Sequence, residues 1–177
     1  MWTLVASIYG ALMLAVGGIA AFTYVRYRGA RFVKCPENHK IEAVAVDAGK
    51  AAFSASIGNP HLVLAECTRW PEMKGCGQEC LRQIEYGPEA CLVRNVVAHW
   101  YNGRRCAICG DSFGEIHWHD HAPALLDHDG RTVQWRDVPL AQLTAYLDTH
   151  DPVCWNCHIV QTFRLEHPEL ITYRKER

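Results

Sequence analysis

The chain has 177 residues, and its 18 Lys and Arg against 19 Asp and Glu leave a formal net charge of −1. With no charged residue before Arg26 and no excess of base after it, there is no global basic field, and no nucleic-acid partner is expected. Aromatic content of 10% and charged content of 21% exclude an intrinsically disordered chain.

From Trp2 to Val25 the sequence is uncharged. At the helical rise these residues make about 36 Å, enough to cross a hydrocarbon core of about 30 Å. The run is apolar all round and lacks the basic start and short apolar core of a cleaved signal peptide. Trp2 at one end and Tyr24 and Tyr27 at the other suit an interfacial aromatic belt. Residues 1–25 are therefore predicted to be a transmembrane helix, which makes the lipid bilayer the first partner.

Arg26, Arg28, Arg31 and Lys34 follow in a basic juxtamembrane linker, residues 26–34. The positive-inside bias predicts a single-pass protein of the inner (cell) membrane, N-terminus outside and soluble domain cytoplasmic. In that reducing compartment, paired cysteines favour metal over disulfides.

The rest reads as α+β in two modules. In residues 35–103, Cys35-Pro36 opens a polar turn and Ile41 to Val46 reads as a strand. Asp47 caps a short Ala-rich helix ending before Gly58-Asn59-Pro60, and a second strand runs from His61 to Ala65. A short helix spans Glu79 to Glu85, and another starts at Pro88 and stops before Gly103. In residues 104–177, strands Ile116 to Ala122 and Arg131 to Trp135 flank an Asp129-Gly130 turn of type I′. A helix from Pro139 to Leu147 precedes a last helix whose apolar face carries Ile159, Val160 and Phe163.

Nine cysteines and ten histidines are the outlying numbers. Cys106-x-x-Cys109 and Cys154-x-x-Cys157 carry the strongest chemical signal, because two such pairs can set four thiolates at the corners of a tetrahedron around zinc. Gly110 fits this, since a residue free to take positive φ lets backbone N–H groups face the sulfurs. The 44 residues between the pairs, 110 to 153, exceed the usual ribbon spacing and call for an inserted hairpin and helix. Cys35, Cys67, Cys76 and Cys80 form a candidate second metal site, with buried apolar packing an equal alternative. Cys91 is assigned to packing.

Cys154-Trp155-Asn156-Cys157-His158 also spells the attachment motif of haem c, in which Cys154 and Cys157 bind the vinyl groups and His158 the iron. That alternative is a membrane-tethered cytochrome, its second axial ligand coming from His117, His119, His121 or His167. It belongs with the opposite topology, because haem c is not normally attached in the cytoplasm. His117, His119 and His121 alternate along a predicted strand and share one face.

The order turn, hairpin, then a second pair on the first turn of a helix resembles the treble-clef zinc module, over about Arg105 to Glu166. Asp120-His121-x-Pro123 between the pairs, with His158 after the second, resembles HNH-type nucleases. That resemblance implies His121 as general base and His158 as ligand of a catalytic divalent metal. A central asparagine and a lysine after His158 are missing from the nuclease pattern. The whole chain resembles membrane-anchored, cysteine-rich bacterial proteins with a Cys-Pro-Glu turn, an Arg-Trp-Pro-Glu segment and a terminal Cys-Trp-Asn-Cys-His. No phosphate loop, dinucleotide fingerprint or paired nucleophile and base is present. The expected function is that of a membrane-anchored zinc-binding accessory or interaction protein, a subunit of a membrane complex, with the membrane-tethered cytochrome and the HNH-like nuclease as the alternatives.

Overall fold

The computed structural model describes residues 2–70, 72–73 and 75–171. The chain divides into two compact units, Met1–Val96 and Val97–Arg177.

In the first unit, helix α1 (Trp2–Tyr27, 26 residues) is long and apolar enough to cross a membrane. Its surface is bare except along one stripe, where Val16 and Ala20 are partly covered and Thr23 and Tyr27 are buried. Helix α2 (Ala48–Ile57) packs along α1. Ala48, Ala51, Ala52 and Ala55 are buried, a small-residue face that lets two backbones approach closely. Phe53 and Ile57 on α2 stay 70% and 77% exposed. Asp47 caps α2 as its sequence predicts, its carboxylate accepting the Lys50 N–H at 2.9 Å.

The basic linker expected over 26–34 is instead folded. α1 continues to Tyr27, and Ala30–Lys34 forms strand β1, the edge of an antiparallel sheet β1-β2-β3 with β2 at Ile41–Val46 and β3 at Leu64–Cys67. Arg31 is the reason. Its side chain is 1% exposed, and the guanidinium donates to the carbonyls of Arg26 (2.6 Å), Tyr27 (2.6 Å), Gly29 (2.9 Å) and Pro88 (3.3 Å). Three of these belong to the end of α1 and the turn after it, where unpaired carbonyls and the negative end of the helix dipole favour a cation. Burial holds the Arg31 pKa below its ordinary value, partly offset by nearby Glu89. Tyr27, Val33, Val44, Val46, Leu64 and Ile84 form the core of the unit. Ile84 lies on helix α3 (Leu81–Tyr86), and helix α4 (Val93–Tyr101) spans the boundary between units.

In the second unit, strand β4 (Ala124–Leu126) pairs antiparallel with β5 (Thr132–Gln134) on one side and β6 (Asp151–Val153) on the other. Helix α5 (Leu140–Thr149) leads into β6, and helix α6 (Trp155–Glu166) follows. Val97, Tyr101, Leu125, Leu143 and Val153 are fully buried. The Tyr101 hydroxyl donates to the Ala124 carbonyl at 2.8 Å, and burial pushes its pKa far up. Tyr101→Phe should therefore destabilise this unit by about 1–2 kcal/mol, seen as a lower urea midpoint at unchanged slope. An unchanged midpoint would deny the bond its role.

Two expectations are corrected here. The hairpin turn is not type I′: Gly130 takes positive φ (78°) but Asp129 does not, and the Asp127 side chain organises the loop by accepting the N–H groups of Asp129 and Arg131. The histidine strand Ile116 to Ala122 is no strand. The His121 N–H returns to the His117 carbonyl at 3.0 Å across a turn, and His117, His119 and His121 are exposed on it.

Candidate metal centre

The sequence from Cys106 to Asp111 folds into a tight cysteine-bearing turn. The Cys106 N–H bonds the Asp111 carbonyl (2.8 Å), the Gly110 N–H bonds the Cys106 carbonyl (2.9 Å), and Gly110 has φ of 78°. This geometry aims the N–H groups of Ile108 and Cys109 at the Cys106 sulfur. Cys154 caps the start of α6, and Cys157 sits in its first turn, at the positive end of the helix dipole. The Cys154 N–H also reaches the Cys106 sulfur, at 3.4 Å.

All four sulfurs, of Cys106, Cys109, Cys154 and Cys157, lie within 4.8 Å of one another, and no disulfide joins them. Those of Cys109 and Cys154 are 3.8 Å apart. A tetrahedron with metal–sulfur bonds of about 2.3 Å has edges of about 3.8 Å. The quartet can hold a metal ion.

Burial opposes ionisation of Cys106, but the N–H groups of Cys109, Cys154 and Ile108 outweigh it and bring its pKa down to about 7. Cys157 is pushed far up, by burial and then by the thiols of Cys154, Cys109 and Cys106. The metal-free cluster thus gives up one proton readily and keeps others that an entering ion must displace. Metal uptake should release protons and weaken as pH falls, by up to tenfold per pH unit for each proton displaced, about 1.4 kcal/mol. Metal titrations at about pH 6 and about pH 8 check this; equal affinities would contradict it.

The other predicted residues are placed differently. His158 is 9% exposed, with Nδ1 on the Thr132 hydroxyl at 2.7 Å, and burial lowers its pKa. His121 is exposed, and the two imidazoles flank the Trp155 ring at centroid distances of 5.9 and 5.8 Å. His167 is exposed beside Glu169. Beside the thiols an open cleft of about 250 Å³ is lined by His117, His121, Pro123 and Trp155. The apolar face expected on α6 is half exposed, with Ile159, Val160 and Phe163 between 46% and 49% accessible.

In the first unit, Cys35, Cys67, Cys76 and Cys80 line a single cavity of about 150 Å³. Burial, followed by the thiols of Cys67, Cys76 and Cys35, pushes Cys80 up to about 11. Cys91 does not line this cavity, and its pKa is raised by burial.

No protein-family model, curated protein or solved structure matches the chain.

Proposed function

We propose that the protein is a membrane-anchored, zinc-binding accessory or interaction protein, a subunit of a larger membrane complex with its soluble part on the cytoplasmic side. The observation that carries this reading is the convergence of Cys106, Cys109, Cys154 and Cys157 on one point. Four thiolates in a closed set suit zinc in a structural role, since a catalytic zinc keeps one position open. The cysteine turn, the β4–β5 hairpin and a helix bearing two thiols on its first turn support a treble-clef-like module with α5 and β6 inserted. The cleft beside the thiols and the half-exposed apolar face of α6 are surfaces on which an accessory subunit would meet its partner.

Haem attachment would consume Cys154 and Cys157 and leave the approach of Cys106 and Cys109 without a cause. Zinc accounts for all four. Purified full-length chain in detergent should be colourless and carry zinc, and a chelator should unfold its second unit. A Soret band from covalently held haem would overturn the reading.

The anchor carries a test of its own. Phe53 and Ile57 project from the helix that covers the stripe on α1, so in vesicles, in a Trp2→Phe background, the emission added by Phe53→Trp should be strongly quenched by brominated lipid tails. Added emission insensitive to bromine would place α2 outside the bilayer.

A further inference from the structure

The turn at Cys35 repeats the turn at Cys106 bond for bond. The Cys35 N–H bonds the Lys40 carbonyl at 2.8 Å, as Cys106 bonds Asp111. The His39 N–H bonds the Cys35 carbonyl at 2.9 Å, as Gly110 bonds Cys106. His39 takes φ of 59° where Gly110 takes 78°. The N–H groups two and three residues on, Glu37 and Asn38, face the Cys35 sulfur as Ile108 and Cys109 face that of Cys106. Asn38 stands where the second cysteine of the pair would be, so the motif is invisible as C-x-x-C. The same turn is built here around one cysteine.

The remaining three ligands come from elsewhere in the same unit. Cys67 ends β3, with the N–H of Arg69 facing its sulfur. Cys76 and Cys80 reach the same cavity from either side of Gln78, whose φ is 55°. Among the described residues, His39 and Gln78 are the only non-glycine positions with positive φ. Both stand in segments that bring cysteines to this cavity, and such backbone strain persists where the surroundings hold it for a purpose. Arg69 donates to the Cys35 sulfur at 3.3 Å and pairs with Glu37. A tetrathiolate around a divalent ion carries a net charge of about −2, which a guanidinium at this distance offsets. The Trp70 indole N–H, on the same cavity, is buried without a partner among the described residues.

We propose that Cys35, Cys67, Cys76 and Cys80 form a second tetrathiolate centre for a zinc-class divalent cation, independent of the quartet in the other unit. Their sulfurs are not gathered within 4.8 Å as those of the second unit are; they line one cavity, and binding would require their side chains to rotate towards the ion.

Cobalt(II), titrated anaerobically into the reduced full-length chain in detergent, tests this by stoichiometry. The chain should bind two equivalents, each with thiolate-to-cobalt charge-transfer absorption. Cys106→Ser with Cys109→Ser should leave one, and Cys35→Ser with Cys80→Ser should also leave one. Cys35→His, which keeps a ligand, should restore the second equivalent with shifted visible bands, separating loss of a ligand from loss of the fold. In the zinc-loaded chain, iodoacetamide should label Cys91 and spare the other eight cysteines until chelator is added. A single equivalent that survives Cys35→Ser, or alkylation of Cys67 and Cys80 as fast as Cys91, would overturn the second centre and leave the first untouched.

Discussion

Cys106→Ser should cost the chain one equivalent of metal and unfold the second unit, the largest effect expected of any single substitution. Cys106 is 2% exposed and receives the N–H groups of Ile108, Cys109 and Cys154, so it is the least replaceable of the four thiols. The apolar core it supports is small: three strands of three residues each, with Val97, Tyr101, Leu125, Leu143 and Val153 as its large fully buried side chains. A structural zinc site contributes on the order of 10–16 kcal/mol of apparent binding free energy at neutral pH, more than the whole stability of a typical domain. Trypsin should therefore cut the variant within residues 97–171 at sites protected in the zinc-loaded parent. Cys91→Ser, which removes no proposed ligand, is the control. Should Cys106→Ser keep both its metal and its protease resistance, the quartet is not a metal centre.

Arg31→Met should destabilise the first unit by about 3 kcal/mol or more. Methionine fills much of the same volume but donates nothing, so the carbonyls of Arg26, Tyr27, Gly29 and Pro88 lose a charged donor while staying shielded from water. Lysine should rescue only in part, because one ammonium lacks the planar fork that reaches several carbonyls at once. The measurement is urea unfolding in detergent, followed by amide hydrogen exchange in the β1-β2-β3 sheet of the same unit. If Arg31→Met unfolds at the parent midpoint, the guanidinium is a surface cation as its sequence position suggests, and its burial carries no structural role.

That contrast shows where the sequence was legible. Strand β2 begins and ends where its alternation of small and branched residues predicts, and α2 starts at its Asp47 cap, because both signals are local. The quartet was readable for the same reason: each C-x-x-C pair encodes its own turn. Strand β1 was hidden because Ala30-Arg31-Phe32-Val33-Lys34 reads as a charged linker until the end of α1 supplies partners for Arg31, and a tertiary partner leaves no trace in spacing. The three histidines misled because alternation is necessary for a strand but not sufficient; no neighbouring strand pairs with residues 116–122, and the chain turns instead. At Cys35 the sequence shows a turn and a candidate ligand but not the likeness to the Cys106 turn, because Asn38 occupies the place of a second thiol.

The stripe on α1 has a bearing on the shape the protein offers to lipid. If α2 stayed wholly in water, the uncovered stretch of α1 would be residues 2–15, about 21 Å against a hydrocarbon core of about 30 Å. With α1 as the anchor and α2 inserted beside it, the chain would enter the bilayer as one helix from its N-terminal side and as two helices on the side of the folded unit. Its inserted cross-section would then be a wedge, broader in the leaflet beside the folded unit. A wedge displaces unequal areas of lipid in the two leaflets, so the protein should partition towards membrane whose curvature relieves that inequality.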